Sequence, residues 1–173
     1  MFEGLLGRIF KVIQLRPMTF REIIDDPNSI KQSILIILLI SLGESLGRII
    51  GEMHSYSVII PVTVSIFIQW FFITSGYYLI SNFLYRNQIQ FIPSLSIVGF
   101  CHIPWLLTLT FALVGLSFSV FLILVMSLIW VLLTLMMCFK VLVGGSFMSS
   151  FGIASILITF GYVIRYYIIA PIY

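Results

Sequence analysis

The sequence predicts an all-α fold, an integral membrane bundle of five transmembrane helices preceded by an amphipathic interfacial helix. Three observations carry that expectation. Hydrophobic residues make up 61% of the 173-residue chain and charged residues 9%, against roughly 45–50% and about 25% in soluble domains. The mean hydropathy of +1.18 means more apolar surface than a water-soluble fold of this length can hide. The apolar residues also gather in five runs of about 20, the length that crosses a hydrocarbon core as a helix. What the runs leave over is too short for a separate soluble catalytic domain.

The chain opens on an amphipathic stretch, residues 1–16. At helical periodicity Phe2, Leu5, Leu6, Ile9, Phe10, Val12 and Ile13 share one side, and Glu3, Gly4, Gly7, Arg8, Lys11 and Gln14 the other, with Leu15 as the exception. A helix of this kind lies flat at a headgroup layer, with Phe2 inserted and Arg8, Lys11 and Arg16 at the interface. It can also pack against the cytoplasmic ends of the bundle, and both dispositions keep it beside the membrane. Pro17 stops this helix. Thr19-Phe20-Arg21-Glu22 then reads as a capping box that opens a short helix to about Asp25, broken at Asp26-Pro27. Residues 17–32 are thus a short capped helix and turn, with Asn28 or Ser29 capping the first span. Two adjacent carboxylates before a proline are turn chemistry rather than metal ligands.

Residues 33–173 form the membrane domain. Its spans are expected at Ser33–Glu52, Val58–Ile80, Leu95–Val114, Phe118–Phe139 and Ser149–Ile169. Gly115-Leu116-Ser117 is short enough to make the third and fourth spans antiparallel neighbours. Charge sets the orientation. Arg8, Lys11, Arg16, Arg21 and Lys31 precede the first run, and Arg86 and Lys140 fall in the later connections on the same side. Only Arg48 and Arg165 lie towards the other side, within or at the end of a span. This bias predicts a cell-membrane protein with its amino terminus in the cytoplasm and its carboxyl terminus outside. No apolar run followed by a small-residue cleavage site marks a secretory signal. Cys101 and Cys138 fall in or beside apolar runs and read as buried thiols, not as a disulfide framework.

Ionisable groups inside a span are costly and face protein or water rather than lipid. Glu44 sits past the middle of the first span, and Arg48 follows at the i+4 spacing that brings carboxylate and guanidinium together on one face. Gln69 is the long polar side chain of the second span and His102 that of the third. Together these four define a polar seam. They admit two readings, a path for an ion, headgroup or substrate, and paired groups that fix helix register. Gly43, Gly47 and Gly51 form a small-residue stripe beside Glu44, and Gly152 with Ser155 forms another in the fifth span. Such stripes let helix backbones approach closely. In the third span Gly99 and Pro104 bracket an expected kink, because proline removes one backbone bond and frees the carbonyl of Phe100.

Several chemistries find no support. The sequence contains no Gly-Lys-Ser/Thr nucleotide loop, no His-Glu-x-x-His, no Gly-x-Ser-x-Gly and no set of intramembrane carboxylates. One histidine beside one cysteine is too few ligands for zinc, and the basic residues are too scattered for nucleic acid. No cofactor, metal or catalytic residue is expected.

Several features resemble the Yip-domain family of five-span membrane proteins. They are the Pro-Met-Thr-Phe-Arg-Glu-Ile-Ile-Asp-Asp-Pro lead (Pro17–Pro27), the Gly-Phe-Cys-His-Ile-Pro segment (Gly99–Pro104) and a tryptophan, Trp130, in the fourth span. The glycine–aromatic–x–x–x–proline stretch is the most specific of these, and the similarity runs over about residues 16–170. The resemblance implies a cytoplasmic amino terminus and self- or hetero-association. Eukaryotic members act in membrane traffic through Rab GTPases and carry a long polar tail with an Asp-Leu-Tyr-Gly-Pro-like motif. This chain has neither, so the Rab role does not carry over. The short form is similar to bacterial and archaeal members, some of which resemble accessory subunits of export transporters. The expected function is therefore a non-enzymatic scaffold or accessory protein in the lipid bilayer, working as a homo- or hetero-oligomer. The alternative is a channel, scramblase or transporter subunit that uses Glu44, Arg48, Gln69 and His102 as its path.

Overall fold

The computed structural model describes residues 4–51, 55–86, 89–110 and 117–169. Within them the chain is helical throughout, without strands. The helices are α1 (Leu5–Ile13), α2 (Pro17–Asp25), α3 (Ser29–Gly51), α4 (Ile59–Phe83), α5 (Phe91–Cys101), α6 (Ser117–Val143) and α7 (Phe147–Ile169), with 3-10 segments at Tyr56–Val58 and Ile103–Thr110. Among the described residues four stretches are long and apolar enough to cross a membrane: Ser29–Ile50, Tyr56–Phe83, Val125–Val143 and Phe147–Ile168. The third expected span is shorter, Phe91–Leu107. Its continuation to Val114, the Gly115-Leu116 link, Phe2 and Glu52 lie outside the described residues.

Helix α5 is the centre of the bundle. Ser94 and Ser96 through Cys101 are all buried, and α5 touches α2, α3, α4 and α6. It ends where Pro104 lacks an N–H, and the chain tightens into the 3-10 segment. The carbonyl of Cys101 accepts from Thr134 Oγ1 of α6 at 2.9 Å. A freed backbone acceptor at membrane depth is thus met by a hydroxyl from a neighbouring span. Gly99, expected at the kink, lies inside regular α5 and makes a contact instead. A Cβ there would stand 2.6 Å from Ser33 Cβ and 3.3 Å from Trp70 Nε1. The close approach is fastened by Ser33 Oγ donating to the Ser96 carbonyl at 2.6 Å and Trp70 Nε1 donating to the Leu95 carbonyl at 3.1 Å.

Helix α7 packs on α4 and α6, but by a different stripe from the one expected. Ala154 and Ile158 are buried, and a Cβ on Gly161 would meet Ile73 Cγ1 at 2.9 Å and Gln69 Cγ at 3.2 Å. On α4, Gly76 faces Leu157 of α7. Gly152 has nothing within 4 Å of its Cβ position, and Ser155 donates to the Phe151 carbonyl of its own helix at 2.9 Å. The helix is rotated so that residues 154, 158 and 161 turn inward, which leaves Gly152 off the contact face. On α3, Gly43 is buried and Gly47 half-buried within the single chain, so that stripe faces its own bundle. The surroundings of Gly51, the last residue of α3, lie outside the described side chains.

The amino-terminal segment departs from the expectation at its helix boundaries. Helix α1 closes on a Schellman motif, with Leu15 N–H bonding to Val12 O at 2.9 Å and Arg16 N–H to Lys11 O at 3.0 Å. Leu15, the residue that broke the amphipathic pattern, supplies the left-handed position at φ 54°. Pro17 then begins α2 at its first position, with Arg16 as N-cap and no side-chain cap bond. Thr19 is therefore inside the helix and buried rather than capping it. The apolar side of α1 divides. Leu5 and Val12 are buried and Ile9 packs on the core, while Leu6 and Phe10 point outward. Its basic side is not simply solvated. Arg8 Nη1 pairs with Asp26 at 2.5 Å and donates to Gln32 at 2.9 Å, Lys11 pairs with Glu22 at 3.5 Å, and Trp130 Nε1 of α6 donates to the Ile13 carbonyl at 3.1 Å. Arg16 remains exposed.

Asp26 is the latch of this segment. The Asn28 backbone N–H donates to it at 2.8 Å, and that bond, followed by the Arg8 guanidinium, holds its carboxyl below the ordinary value. A depressed carboxylate stabilises the fold above its unfolded pKa of 3.8, and that contribution is lost as pH falls through the lower folded value. The protection factors of the α1 amides, that is exchange corrected for its intrinsic slowing in acid, are expected to fall on acidification through that window, so that exchange becomes fast relative to the unfolded chain. Asp26→Asn is expected to bring the fast exchange up to neutral pH, and unchanged exchange in the variant would remove Asp26 from this role.

Candidate functional site: a charged cluster between three spans

Four polar side chains from α3, α4 and α7 meet inside the bundle. Glu44 lies in the later half of α3, and Arg48, one turn on, donates to its Oε1 from Nη2 at 3.2 Å and from Nε at 3.4 Å. Arg165 of α7 donates from Nη2 to the same Oε1. Its Nη1 reaches Gln69 Oε1 of α4 at 3.5 Å. The close approach at Gly161, one turn before Arg165, brings α7 near enough to Gln69 for this contact. Side-chain exposure is 20% for Glu44 and 11% for Arg165, so one carboxylate is clamped by two guanidiniums largely away from solvent. Charges at such a site interact far more strongly than at a wet surface.

Aromatic groups close one flank. Tyr162, on the turn before Arg165, meets the ring of Trp105 with centroids 5.9 Å apart. The Tyr162 hydroxyl and Arg165 Nε are buried and have no hydrogen-bond partner among the described residues. His102 is fully enclosed, and its Nδ1 donates to the Val98 carbonyl one turn back on α5 at 2.7 Å. That bond secures the end of α5 and does not extend the seam.

Of the expected seam, Glu44, Arg48 and Gln69 come together around Arg165, while the Nδ1 hydrogen bond of His102 goes to its own helix. Arg165 was missed as a member, although it holds the cluster together by touching both Glu44 and Gln69. Its signal was present, because Glu44 and Arg165 each fall in the later half of a span, and the first and fifth spans of an alternating bundle run in the same direction. Cys101 and Cys138 are free and buried as expected, with Cys138 Sγ 3.8 Å from the Tyr77 hydroxyl. Among the described residues no three His, Cys, Asp or Glu side chains gather as a metal site would need.

Apolar helices joined by short turns around a buried charged cluster define a polytopic helical membrane protein. A family model for the Yip1 domain matches residues 10–168, and the chain belongs to that family. The Gly99–Pro104 segment that carried the resemblance lies at the centre of the bundle, as the packing of Gly99 and the break at Pro104 describe. No curated protein and no solved structure matches the chain.

Proposed function

We propose that this protein is a non-enzymatic scaffold or accessory protein of the cell membrane, acting through helix–helix association in support of a transport or export complex. The amino terminus is cytoplasmic and the carboxyl terminus outside, and the chain crosses five times. The third crossing is α5 with its 3-10 continuation. At about 1.5 Å per α-helical and 2.0 Å per 3-10 residue, Phe91–Thr110 extends over roughly 30 Å, the thickness of the hydrocarbon core. The outward Leu6 and Phe10 of α1 suit contact with the adjoining leaflet, where this helix shapes the bilayer locally.

One observation carries the reading. The polar side chains of the spans are engaged with one another, with Glu44 accepting from Arg48 and Arg165 and Arg165 reaching Gln69. That arrangement ties α3, α4 and α7 in register. A second reading, a conduit, draws on the Tyr162 hydroxyl and Arg165 Nε, buried polar atoms of the kind that water or a passing polar group satisfies.

A liposome assay separates the two. Purified wild type and Glu44→Gln are reconstituted, and ion flux and fluorescent-lipid flipping are followed. The scaffold predicts no activity above protein-free vesicles in either, with Glu44→Gln altering yield or oligomeric state. Wild-type activity that the substitution removes would overturn the scaffold and make the cluster a pathway.

A further inference from the structure

Where α2 meets the turn between α6 and α7, a half-open groove of about 470 Å³ enters the protein. Its volume lies in the range of about 300–1,000 Å³ typical of small-molecule sites. Its charge has one sign. Arg21 of α2 and Lys140 of α6 line it, no carboxylate among the described residues does, and both cations are exposed. Of the acidic groups on α2, Glu22 is paired with Lys11 and Asp25 is exposed at the far end of the helix. The walls below the cations are apolar, formed by Met18 of α2 and by Met137 and Val141 of α6. Gly144, in the left-handed conformation at φ 75°, has nothing within 4 Å of its Cβ position and leaves the mouth open.

The depth of the groove identifies its occupant. Lys140 lies in the last turn of α6, close to the end of the crossing stretch Val125–Val143. Arg21 precedes the first crossing stretch, which begins at Ser29. Two cations at headgroup level above a methionine-rich apolar wall match a molecule with an anionic head and a hydrocarbon tail. Methionine adapts its shape to flexible chains. We propose that this groove binds an anionic phospholipid, its phosphate between Arg21 and Lys140 and its acyl chain along Met18, Met137 and Val141. Neither the scaffold reading nor the orientation of the chain enters this inference. The groove, its two cations and the crossing helices place it at one membrane surface whichever side that surface faces.

The test is native mass spectrometry of the full, delipidated protein in detergent, titrated with phosphatidylglycerol or phosphatidylcholine. A cation near a membrane surface favours an anionic lipid about fivefold, so two predict a preference of ~25-fold for phosphatidylglycerol. Arg21→Gln with Lys140→Gln is expected to abolish that preference, while Lys31→Gln, an exposed cation outside the groove, leaves it intact. Circular dichroism and elution volume check the fold of the double variant. The wild type supplies a second measure that needs no substitution, because raising the salt concentration is expected to shrink the preference. Equal binding of the two lipids, a preference that survives the double variant, or one unmoved by salt would overturn the proposal. Displacement of phosphatidylglycerol by glycerol 3-phosphate would also overturn it, by making the site one for a soluble phosphate.

Discussion

Replacing Glu44 by Ala is expected to lower the unfolding free energy by about 3–5 kcal/mol, the cost of breaking a buried ion pair by removing one partner. The Glu44 carboxylate accepts from Arg48 and Arg165, and its loss leaves two guanidiniums sharing a mostly enclosed site between α3 and α7. Neutral hydrogen bonds between spans average only about 0.6 kcal/mol, and exposed ion pairs about 0–1 kcal/mol. The expected loss is thus large enough to tell a clamped charge from either. Glu44→Gln keeps an acceptor for both arginines and is expected to cost less. Glu44→Met combined with Arg165→Met removes both charges at the α3–α7 contact and replaces them with volume. Its loss is therefore expected to be smaller than that of Glu44→Ala. Reversible unfolding in mixed micelles or bicelles measures all three. A loss under about 1 kcal/mol for Glu44→Ala would reduce the cluster to a surface pair and remove its role in fixing register.

Four of the expected spans were legible because a 20-residue apolar run has few other uses. Their ends were less so. The first crossing was expected from Ser33, yet the apolar stretch already runs from Ser29, where Asn28 or Ser29 is expected to cap the helix and where α3 begins. Which face of a span turns inward was hardly legible at all. Lipid and protein interior are equally apolar, so the periodicity that orients a helix in a soluble protein is missing. The Gly152 and Ser155 stripe looked like the packing face of α7, but neighbouring volumes on α4 chose Gly161. In the polar seam, local spacing revealed Glu44 with Arg48. Arg165 joins them across 121 residues of sequence, and only the tertiary arrangement brings it there. For His102, spacing could not foretell that Nδ1 bonds a carbonyl one turn back on its own helix.

Three glycine substitutions separate a true close approach from a bystander, and Gly99→Ala is expected to be the most damaging. In a helix interior, Gly→Ala by itself gains about 1 kcal/mol, so the sign of each result is set by what the new methyl meets. At Gly99 it meets Ser33 Cβ at 2.6 Å. That atom is fixed to the α3 backbone and cannot swing aside. Helices α3 and α5 must separate, straining the Ser33–Ser96 hydrogen bond between them, and overpacking of this kind costs about 1–3 kcal/mol. With that bond weakened as well, a net loss of about 2 kcal/mol is expected. At Gly161 the methyl meets the side-chain carbons of Ile73, Cγ1 at 2.9 Å and Cδ1 at 3.0 Å. These rotate away at modest cost, leaving the change near neutral. At Gly152 it meets nothing within 4 Å, so the protein is expected to gain stability. Ser33→Gly in the Gly99→Ala background removes the Cβ that the new methyl strikes, and it is expected to recover much of the loss despite forfeiting the Ser33 hydroxyl. Thermal unfolding in one detergent orders the series. If Gly99→Ala proves no worse than Gly152→Ala, or Ser33→Gly fails to relieve it, then α3 and α5 do not touch at this residue and the centre of the bundle is packed another way.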